Sequence, residues 1–260
     1  MWGGDCVRMR WTAALLALLI LPGVACATGG AGSGDTEDIV ASVPFGDGER
    51  LVYELVDADG AVVGRGVFTT TVQDRDAFGL VQTYEEVETP SGERPIVDVV
   101  TVVVDAVTLK PRLAERSIQR REPSDDEWYL AKYEAEAGEP QLVITQHSGG
   151  SERTREIELR DHHYDSQSSL WIWRALAFAE DFEANYVSVN PRDASQVTAR
   201  LVLVDRQTIE VPAGSFETWR LQVRNGRDTR IAWIHVEPPH EIVQWDNGTL
   251  FLRLVESTGP

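Results

Sequence analysis

The stretch YDSQSSLWIWRALAFAED, Tyr164–Asp181, decides the fold, because it is the one convincing helical segment in a sequence that otherwise consists of short strand-like segments. Between Leu170 and Ala179 only Arg174 is strongly polar. A helix that is apolar on nearly all sides is normally enclosed by other elements. We therefore predict that a helix over Ser168–Ala179 is surrounded by the rest of the chain.

Strand-like segments separated by polar turns fill most of the remaining sequence. Within Thr218–Arg224 apolar and polar residues alternate, which indicates a strand with one face in the core and one in solvent. Gly64 and Gly66 predict a bulge or a sharp bend in the second strand. The predicted fold class is mainly β, with a strongly curved antiparallel sheet or half-barrel that encloses one apolar helix. The predicted strands are Arg50–Val56, Ala61–Val72, Leu80–Val87, Ile96–Val104, Leu113–Arg120, Trp128–Ala135, Leu142–Gln146, Arg153–Leu159, Asn185–Val189, Val197–Val204, Gln207–Val211, Ser215–Val223, Thr229–Val236, Glu241–Trp245 and Thr249–Val255.

The first residues have the layout of an export signal. Arg8 and Arg10 precede the apolar run Ala13–Leu21, and small residues follow that run. The run is too short to span a bilayer as a permanent helix. We predict a signal peptide over residues 1–25, with translation starting either at Met1 or at Met9.

Cys26 is the predicted lipidation site. The sequence GVAC, followed by ATGGAGSG, resembles the lipobox of bacterial lipoproteins, in which the cysteine is acylated and becomes the mature N-terminus. Cys6 would leave with the signal, so no disulfide is available to the mature protein. We predict a flexible tether over residues 26–43 and a single mainly-β domain over residues 44–257. The alternative is an ordinary secreted protein with a stray cysteine.

The charge balance restricts the partners. The chain has 24 basic and 42 acidic residues, for a formal net charge of −18. A surface this acidic argues against nucleic acid and against broad adhesion to anionic lipid head groups. We predict attachment to a bacterial membrane through the N-terminal lipid anchor, on the extracytoplasmic side. No protein partner can be named.

Tryptophan is abundant for a domain of this size, with eight residues in the chain. Large aromatic side chains either fill a core or line a cavity for an apolar ligand. Both interpretations are open, and the second predicts a ligand site formed by Trp171, Trp173, Phe178, Trp219 and Trp233.

His162, His163 and Asp165 are the strongest candidates for acid–base or metal chemistry, since imidazole and carboxylate groups could converge before the helix. The simpler interpretation is that Asp165 or Ser166 caps the helix and that the histidines are loop residues. No G-x-S-x-G or H-E-x-x-H motif accompanies them. We therefore predict no metal, no cofactor and no catalytic residue, with a hydrolase that uses this group as the less favoured alternative.

Several phrases in the chain resemble one family. They are GDGERLVYEL (46–55), GRGVF (64–68), DAVTLKPRLAE (105–115), YDSQSSLWIWRAL (164–176) and VPAGSFETWRLQV (211–223). In this order and spacing they resemble the bacterial envelope family catalogued as domain of unknown function 3108. The resemblance implies an exported, mostly β protein similar to periplasmic lipoprotein carriers, and it implies no reaction.

The function predicted from these observations is a membrane-anchored binding or carrier module, without enzymatic activity, for an apolar or amphipathic envelope molecule. The alternative is a structural or interaction lipoprotein whose core is fully packed.

Overall fold

Fifteen strands form one sheet in the computed structural model, which describes residues 35–87, 95–136, 138–226 and 228–259. Strands that follow one another in the chain pair with each other, except that β8 and β9 lie at opposite edges and β1 pairs with β15. The strand order is β8-β7-β6-β5-β4-β3-β2-β1-β15-β14-β13-β12-β11-β10-β9. All pairs are antiparallel except β9 with β10. Within the described residues the sheet is open, with β8 and β9 as its edges. The strands are β1 (Arg50–Val56), β2 (Val62–Asp74), β3 (Ala77–Glu86), β4 (Val97–Asp105), β5 (Pro111–Gln119), β6 (Glu127–Glu136), β7 (Glu139–Ser148), β8 (Ser151–Glu158), β9 (His163–Asp165), β10 (Glu183–Asn190), β11 (Ser195–Val211), β12 (Gly214–Asn225), β13 (Asp228–His235), β14 (Ile242–Asp246) and β15 (Phe251–Thr258).

The mainly β prediction is confirmed, and every predicted strand overlaps a strand of the structure. Two differences remain. The segments Val197–Val204 and Gln207–Val211 form the single strand β11, whose pairing with β12 shifts register between Leu203 and Asp205. The polar residues at this point therefore mark a β-bulge and not a turn. The three-residue strand β9 was not predicted, because it is too short to show an alternating pattern.

The predicted helix is much shorter than expected. A 3-10 turn at Ser166–Ser168 leads into helix α1 (Ser169–Ile172), a second 3-10 turn covers Trp173–Ala175, and Leu176 is extended. The predicted end at Ala179 is therefore wrong. The carbonyl of Ala175 accepts hydrogen bonds from the N–H groups of Ala41 and Ser42, at 2.7 and 3.3 Å. It therefore bonds to a segment distant in sequence and does not continue the helix. Within the described part of the chain, no helix is long and apolar enough to cross a bilayer.

The expected enclosure of this segment is confirmed. Leu170, Trp171, Ile172 and Trp173 are at most 4% exposed. The indole N–H of Trp171 donates to the hydroxyl of Thr70 on β2, at 3.0 Å. The indole N–H of Trp173 donates to the hydroxyl of Tyr186 on β10, at 3.4 Å. The helical segment therefore lies against one face of the sheet, which we call the inner face.

Arg174, the polar exception in the segment, is also buried. Its guanidinium donates two hydrogen bonds to the carboxylate of Glu49, at 2.8 and 2.6 Å, and the two side chains are 1% and 2% exposed. It also donates to the carbonyls of Pro239 and His240. One side chain thus joins the helical segment to the start of β1 and to the loop between β13 and β14.

The ordered domain begins earlier than predicted. The predicted tether ended at residue 43, yet its described part packs against the domain. The N–H of Glu37 donates to the carbonyl of Asn185 at 2.9 Å, Ile39 is 5% exposed, and Asp38 pairs with Lys110. The predicted boundary at residue 44 therefore moves towards the N-terminus, so that the domain includes at least the described residues 37–42. The predicted signal peptide and Cys26 lie outside the described residues.

Side chains bridge the two halves of the open sheet. Arg192, in the loop after β10, pairs with Glu127 at the start of β6, at 2.8 Å. Arg155 on β8 donates to the carbonyl of Asp193 in the same loop, at 3.2 Å. On β6, the hydroxyl of Tyr133 donates to Asp165 of β9, at 2.5 Å. Polar contacts thus connect the regions of both edges, although no described strand ladder joins them.

Candidate functional site

The five predicted ligand-binding aromatic residues do not form one site. Trp171 and Trp173 are core residues, 2% and 3% exposed, and Trp171 stacks on Phe68 with ring centroids 5.4 Å apart. Phe178 stacks on Trp219, which is 5% exposed, at 6.2 Å. Trp171, Phe178 and Trp219 line neither of the two spaces described below, so for these three the core interpretation fits the structure.

Trp233 lies on the opposite face of the sheet, which corrects its predicted place in the site. Its neighbours on β13, Ala232 and Ile234, are both 0% exposed, and alternate residues of a strand point to opposite faces. The indole N–H of Trp233 donates to the amide oxygen of Gln207 at 3.0 Å. It therefore cannot share an inner-face cavity with Trp219.

A cavity of about 740 Å³ opens on the inner face, beside the start of the helical segment. Ser166 and Gln167 contribute to it from that segment, and residues of strands and loops on both sides complete its wall. The volume is within the usual range for a small-molecule site. The lining residues are Leu55, Tyr84, Glu85, Glu86, Ile96, Asp98, Arg116, Ser166, Gln167, Ser188, Asn190, Asp193, Ser195, Val197, Asn225, Asp228, Arg230, Trp245, Asn247, Leu250 and Leu252.

A recess of about 110 Å³ adjoins this cavity and shares part of its lining, including Tyr84, Asn225 and Trp245. Trp173 also lines the recess and is the one predicted aromatic residue that reaches either space. The recess lies against the hydrogen-bonded pair of Trp173 and Tyr186. We call the larger space the vestibule and the smaller one the recess.

The charged groups of the vestibule differ in how firmly they are held. Arg116 of β5 makes two hydrogen bonds to Asp98 of β4, at 2.8 and 2.5 Å. Burial alone would lower the pKa of Arg116, but the hydrogen bonds and charge of Asp98 raise it above its ordinary value. Among the described residues the one ion-pair partner of Arg230 is Asp228, at 3.9 Å. Arg116 is therefore a fixed part of the wall, whereas Arg230 remains available to a ligand.

Tyr84 forms part of the wall of both spaces. Its hydroxyl donates to the amide oxygen of Gln82 at 2.7 Å, and Gln82 in turn donates to the carbonyl of Gln167. Burial raises the pKa of Tyr84 well above its ordinary value, so the phenol stays protonated. This chain of hydrogen bonds connects β3 to the helical segment and fixes the floor of the vestibule.

Asp165 caps the helical segment, as the simpler interpretation predicted. It is 0% exposed, and its carboxylate accepts hydrogen bonds from the N–H of Gln167 at 2.7 Å and from the hydroxyl of Tyr133. Burial raises the pKa of Asp165 to about 6, and these two hydrogen bonds partly oppose the shift. The carboxylate therefore positions the two lining residues that follow it, Ser166 and Gln167.

The histidines do not converge with Asp165 as a catalytic group. His163 stacks on the ring of Tyr133 at 6.0 Å, and its Nδ1 lies 3.0 Å from the carbonyl of Arg160. Burial lowers the pKa of His163. His162 lies instead beside Asp38, at 3.1 Å. Among the described residues, no group of three or more His, Cys, Asp or Glu side chains is arranged to hold a metal ion.

Sequence reasoning missed the residues that line the vestibule, although β12 contained a usable signal. Trp219, Leu221, Val223 and Asn225 occupy successive inner-face positions of one strand. The change from apolar residues to an amide at the end of this series marks the point where the filled core gives way to the cavity. The polar residues that the adjacent strands contribute to the vestibule could not be recognised as site residues from the sequence, because the strand order that brings them together was not known.

Comparisons with known proteins support the fold assignment. A β-barrel-like protein of domain of unknown function DUF1849 from Brucella abortus aligns at a TM-score of 0.56 and 13% identity, over 82% of this chain and 97% of that chain. At this identity the similarity shows the fold alone. No curated protein sequence gives a significant match.

Two other solved structures align less well. A Bacteroides fragilis protein described as exported, with a YmcC-like fold, aligns at a TM-score of 0.33 and 11% identity, over 85% of this chain and 99% of that chain. A Parabacteroides distasonis protein described as a lipoprotein aligns at a TM-score of 0.31 and 12% identity, over 85% of this chain and all of that chain.

The family resemblance is confirmed by a match over most of the chain. The family described as "Protein of unknown function (DUF3108)" matches residues 52–254, from β1 to β15. This range contains the helical segment and the strands that line the vestibule. The chain therefore belongs to the DUF3108 family.

Proposed function

We propose that this chain is a membrane-anchored extracytoplasmic lipoprotein that binds an amphipathic envelope molecule without transforming it. The vestibule is the observation that carries the proposal, because it leaves about 740 Å³ of the inner face unfilled. A fully packed core would leave no such space, so the structural alternative lacks this support.

The composition of the wall favours an amphipathic ligand over a purely apolar one. Five aliphatic residues contribute apolar surface, whereas Ser, Asn and Gln residues contribute donors and acceptors. A purely apolar ligand would bury these polar groups without partners, which is unfavourable. The aliphatic residues are Leu55, Ile96, Val197, Leu250 and Leu252.

We also propose that the sheet curves strongly enough to shelter this ligand as a half-barrel does. The helical segment bonds to Thr70 on β2 and to Tyr186 on β10, which are seven positions apart in the strand order. In a flat sheet those strands would lie roughly 34 Å apart. Spin labels at Glu134 and Glu183 would measure the curvature, because a flat sheet separates β6 from β10 by roughly 50 Å. A measured distance near that value would contradict the proposal.

Filling the vestibule tests the binding role. Val197→Trp places an indole in the vestibule, whereas Val202→Trp places the same group on the other face of β11. We expect mass spectrometry of the natively extracted wild type to detect a co-purified amphiphile. Val197→Trp should lose it and Val202→Trp should retain it. Absence of a co-purified species from all three proteins, or equal retention by both variants, would contradict binding in the vestibule.

The anchor is tested separately at Cys26. Cys26→Ser should abolish metabolic labelling with palmitate and release the protein from the membrane fraction. Cys6→Ser is the matched control, since that residue lies within the predicted signal, and it should leave labelling unchanged. Undiminished membrane attachment of the Cys26→Ser protein would rule out the lipid anchor.

A further inference from the structure

We infer that the head group of the ligand is an acid group, a carboxylate or a phosphate, and that Asn225, Arg230 and Trp245 hold it. This inference rests on the proposed function and gives it a ligand class. It is carried by a buried indole N–H and a weakly paired guanidinium, which lie in the wall that the vestibule and the recess share. We call these three residues the donor row.

The donor row runs across three neighbouring strands of the inner face. Arg230 of β13 lies opposite the core residue Val223, and Trp245 of β14 lies opposite the core residue Ala232. Arg230 and Trp245 are therefore diagonal neighbours, a separation that aromatic and long side chains can bridge. Asn225 of β12 lies opposite Asp228 and is the diagonal neighbour of Arg230 on the other side. All three residues of the row line both spaces.

The indole N–H of Trp245 sets the chemistry of the row. It is buried, and among the described residues it has no hydrogen-bond partner. The indoles of Trp171, Trp173 and Trp233 each donate to a side-chain oxygen. A buried donor without a partner is unfavourable, because it has lost its hydrogen bond to water. An indole can only donate, so the ligand group beside Trp245 should be an acceptor.

Arg230 adds a positive charge to this requirement. Within the part of the chain that the structure describes, it is the one charged residue of the recess wall, and its one ion-pair partner is Asp228, at 3.9 Å. The side chain of Asp228 is 73% exposed, so solvent weakens this pair. A guanidinium can bond in parallel to two oxygens of a carboxylate or a phosphate. An acid group therefore satisfies both Arg230 and Trp245.

The amide of Asn225 completes the row. No hydrogen bond of its side chain occurs among the described residues, and its NH₂ group can donate to the same acid group. A cationic head group would meet the like charge of Arg230 and would find no acceptor on Trp245. A neutral head group would leave the guanidinium without a counter-charge.

The carboxylates of the vestibule do not remove this preference. Five of them line its wall, and three already have partners in the protein. Asp98 and Glu86 bond to arginines, and Asp193 accepts from Ser195. The remaining negative field mainly slows the approach of an anion, an effect that salt screens. Contact with the donor row determines how long the anion stays.

Four amphiphiles with chains of eight carbon atoms test the inference: octanoate, octyl phosphate, octanamide and octylammonium. Octanamide has nearly the shape of octanoate and lacks its charge. Each is titrated below its critical micelle concentration into the full chain in phosphatidylcholine nanodiscs, with empty nanodiscs as the reference, and binding heat is measured. At about pH 8, where the carboxylate is ionised, one of the two anions should bind at least tenfold more tightly than octanamide and octylammonium. The anion that binds more tightly identifies the acid group.

Two variants of the donor row locate the site. Arg230→Gln should weaken binding of the preferred anion about tenfold and leave octanamide binding nearly unchanged. Arg224→Gln is its matched control, because it removes the same charge from an exposed position on the other face of β12.

Trp245→Phe removes the indole N–H and keeps an aromatic ring, so it should weaken anion binding about fivefold. Trp233→Phe removes an indole from the other face of the sheet and should leave anion binding unchanged.

The outcomes separate the inference from the proposed function. If octanamide or octylammonium binds as tightly as the better anion, the inference is overturned while the proposed binding function stands. The same holds if Arg230→Gln or Trp245→Phe weakens anion binding no more than its control does. If none of the four amphiphiles binds, the proposed binding function itself fails.

Discussion

The two ends of the inner face are built from the same strands and differ in what fills them. On β12, Trp219 is 5% exposed and packs against Phe178, whereas Asn225 lies half-buried in the vestibule wall. On β13, Ile234 is 0% exposed, whereas Arg230 faces the cavity. We call these the packed end and the open end. The strand alternation decides which face is inner, and the change in polarity along each strand decides where the core stops.

This comparison separates stability from binding. Residues at the packed end bury large side chains and a complete ion pair, so changes there should lower the free energy of unfolding strongly. Residues at the open end are exposed to solvent or lack fixed partners. Substitutions there should change ligand binding and leave the free energy of unfolding nearly unchanged.

The largest effect is expected from Arg174→Met. It leaves the carboxylate of Glu49 buried without its partner and removes donors to the carbonyls of Pro239 and His240. Breaking one side of a buried ion pair typically costs about 3–5 kcal/mol. Urea unfolding of the full chain should show a loss of that size.

The double variant Glu49→Leu/Arg174→Met serves as the control, because replacing both members by apolar residues of similar size can be nearly neutral. It should recover a large part of the lost stability. Arg220→Met breaks the more exposed pair with Asp205 and should cost less than about 1 kcal/mol. If Arg174→Met were no more damaging than Arg220→Met, the packed end would not owe its stability to this pair.

A pH effect of intermediate size is expected from Asp165, which caps the start of the helical segment. Its folded-state pKa of about 6 is raised from 3.8, so the folded protein holds this proton more tightly than the unfolded chain. The corresponding stability is present below about pH 4 and is lost as the pH rises through 6. The loss amounts to roughly 3 kcal/mol at most.

Urea unfolding between pH 4 and pH 7 would measure this effect as the difference between wild type and Asp165→Asn, which lacks the titrating group. Relative to the wild type, Asp165→Asn should gain stability as the pH rises. Asp161→Asn, at an exposed position two residues from β9, should follow the wild-type curve. Parallel curves for wild type and Asp165→Asn would show that Asp165 does not titrate in this range.

A smaller effect is expected at Gly64, where the sequence predicted a bulge or bend. The pairing of β1 with β2 shifts register beside this residue, between Leu55 and Val56. A Cβ atom on Gly64 would lie 2.6 Å from the carbonyl oxygen of Glu85. Gly64→Ala should therefore cost about 1–3 kcal/mol, as overpacking usually does. Gly66→Ala, whose Cβ would meet only contacts of 3.5 Å or more, should cost less. Equal thermal shifts for the two variants would contradict this explanation.

The strands could be predicted from the sequence because each one repeats a two-residue alternation that needs no knowledge of its neighbours. The end of the helical segment could not be predicted in this way. It depends on the carbonyl of Ala175 bonding to Ala41 and Ser42, more than 130 residues away in the chain. The apolar character of the segment correctly predicted its burial but overestimated its helical length.

The candidate site was less predictable for the same reason. Counting aromatic residues selected Trp219 and Trp233, but strand register places them on opposite faces. Asn225 and Arg230 carry no motif and become site residues only because the end of β12 and the start of β13 lie beside the first residues of the helical segment. A polar residue at an inner-face position is a local signal, whereas a cavity depends on strands that are distant in sequence.

The smallest effect is expected from Arg230→Gln at the open end. Within the part of the chain that the structure describes, the guanidinium forms one weak ion pair, with Asp228 at 3.9 Å, and both side chains are substantially exposed. Exposed pairs contribute about 0–1 kcal/mol, so the free energy of unfolding should change by no more than about 0.5 kcal/mol. Urea unfolding, the measurement used for Arg174→Met, would detect a larger change in the free energy of unfolding. A loss comparable to that of Arg174→Met would mean that Arg230 supports the fold, and the distinction between a packed end that stabilises and an open end that binds would not hold.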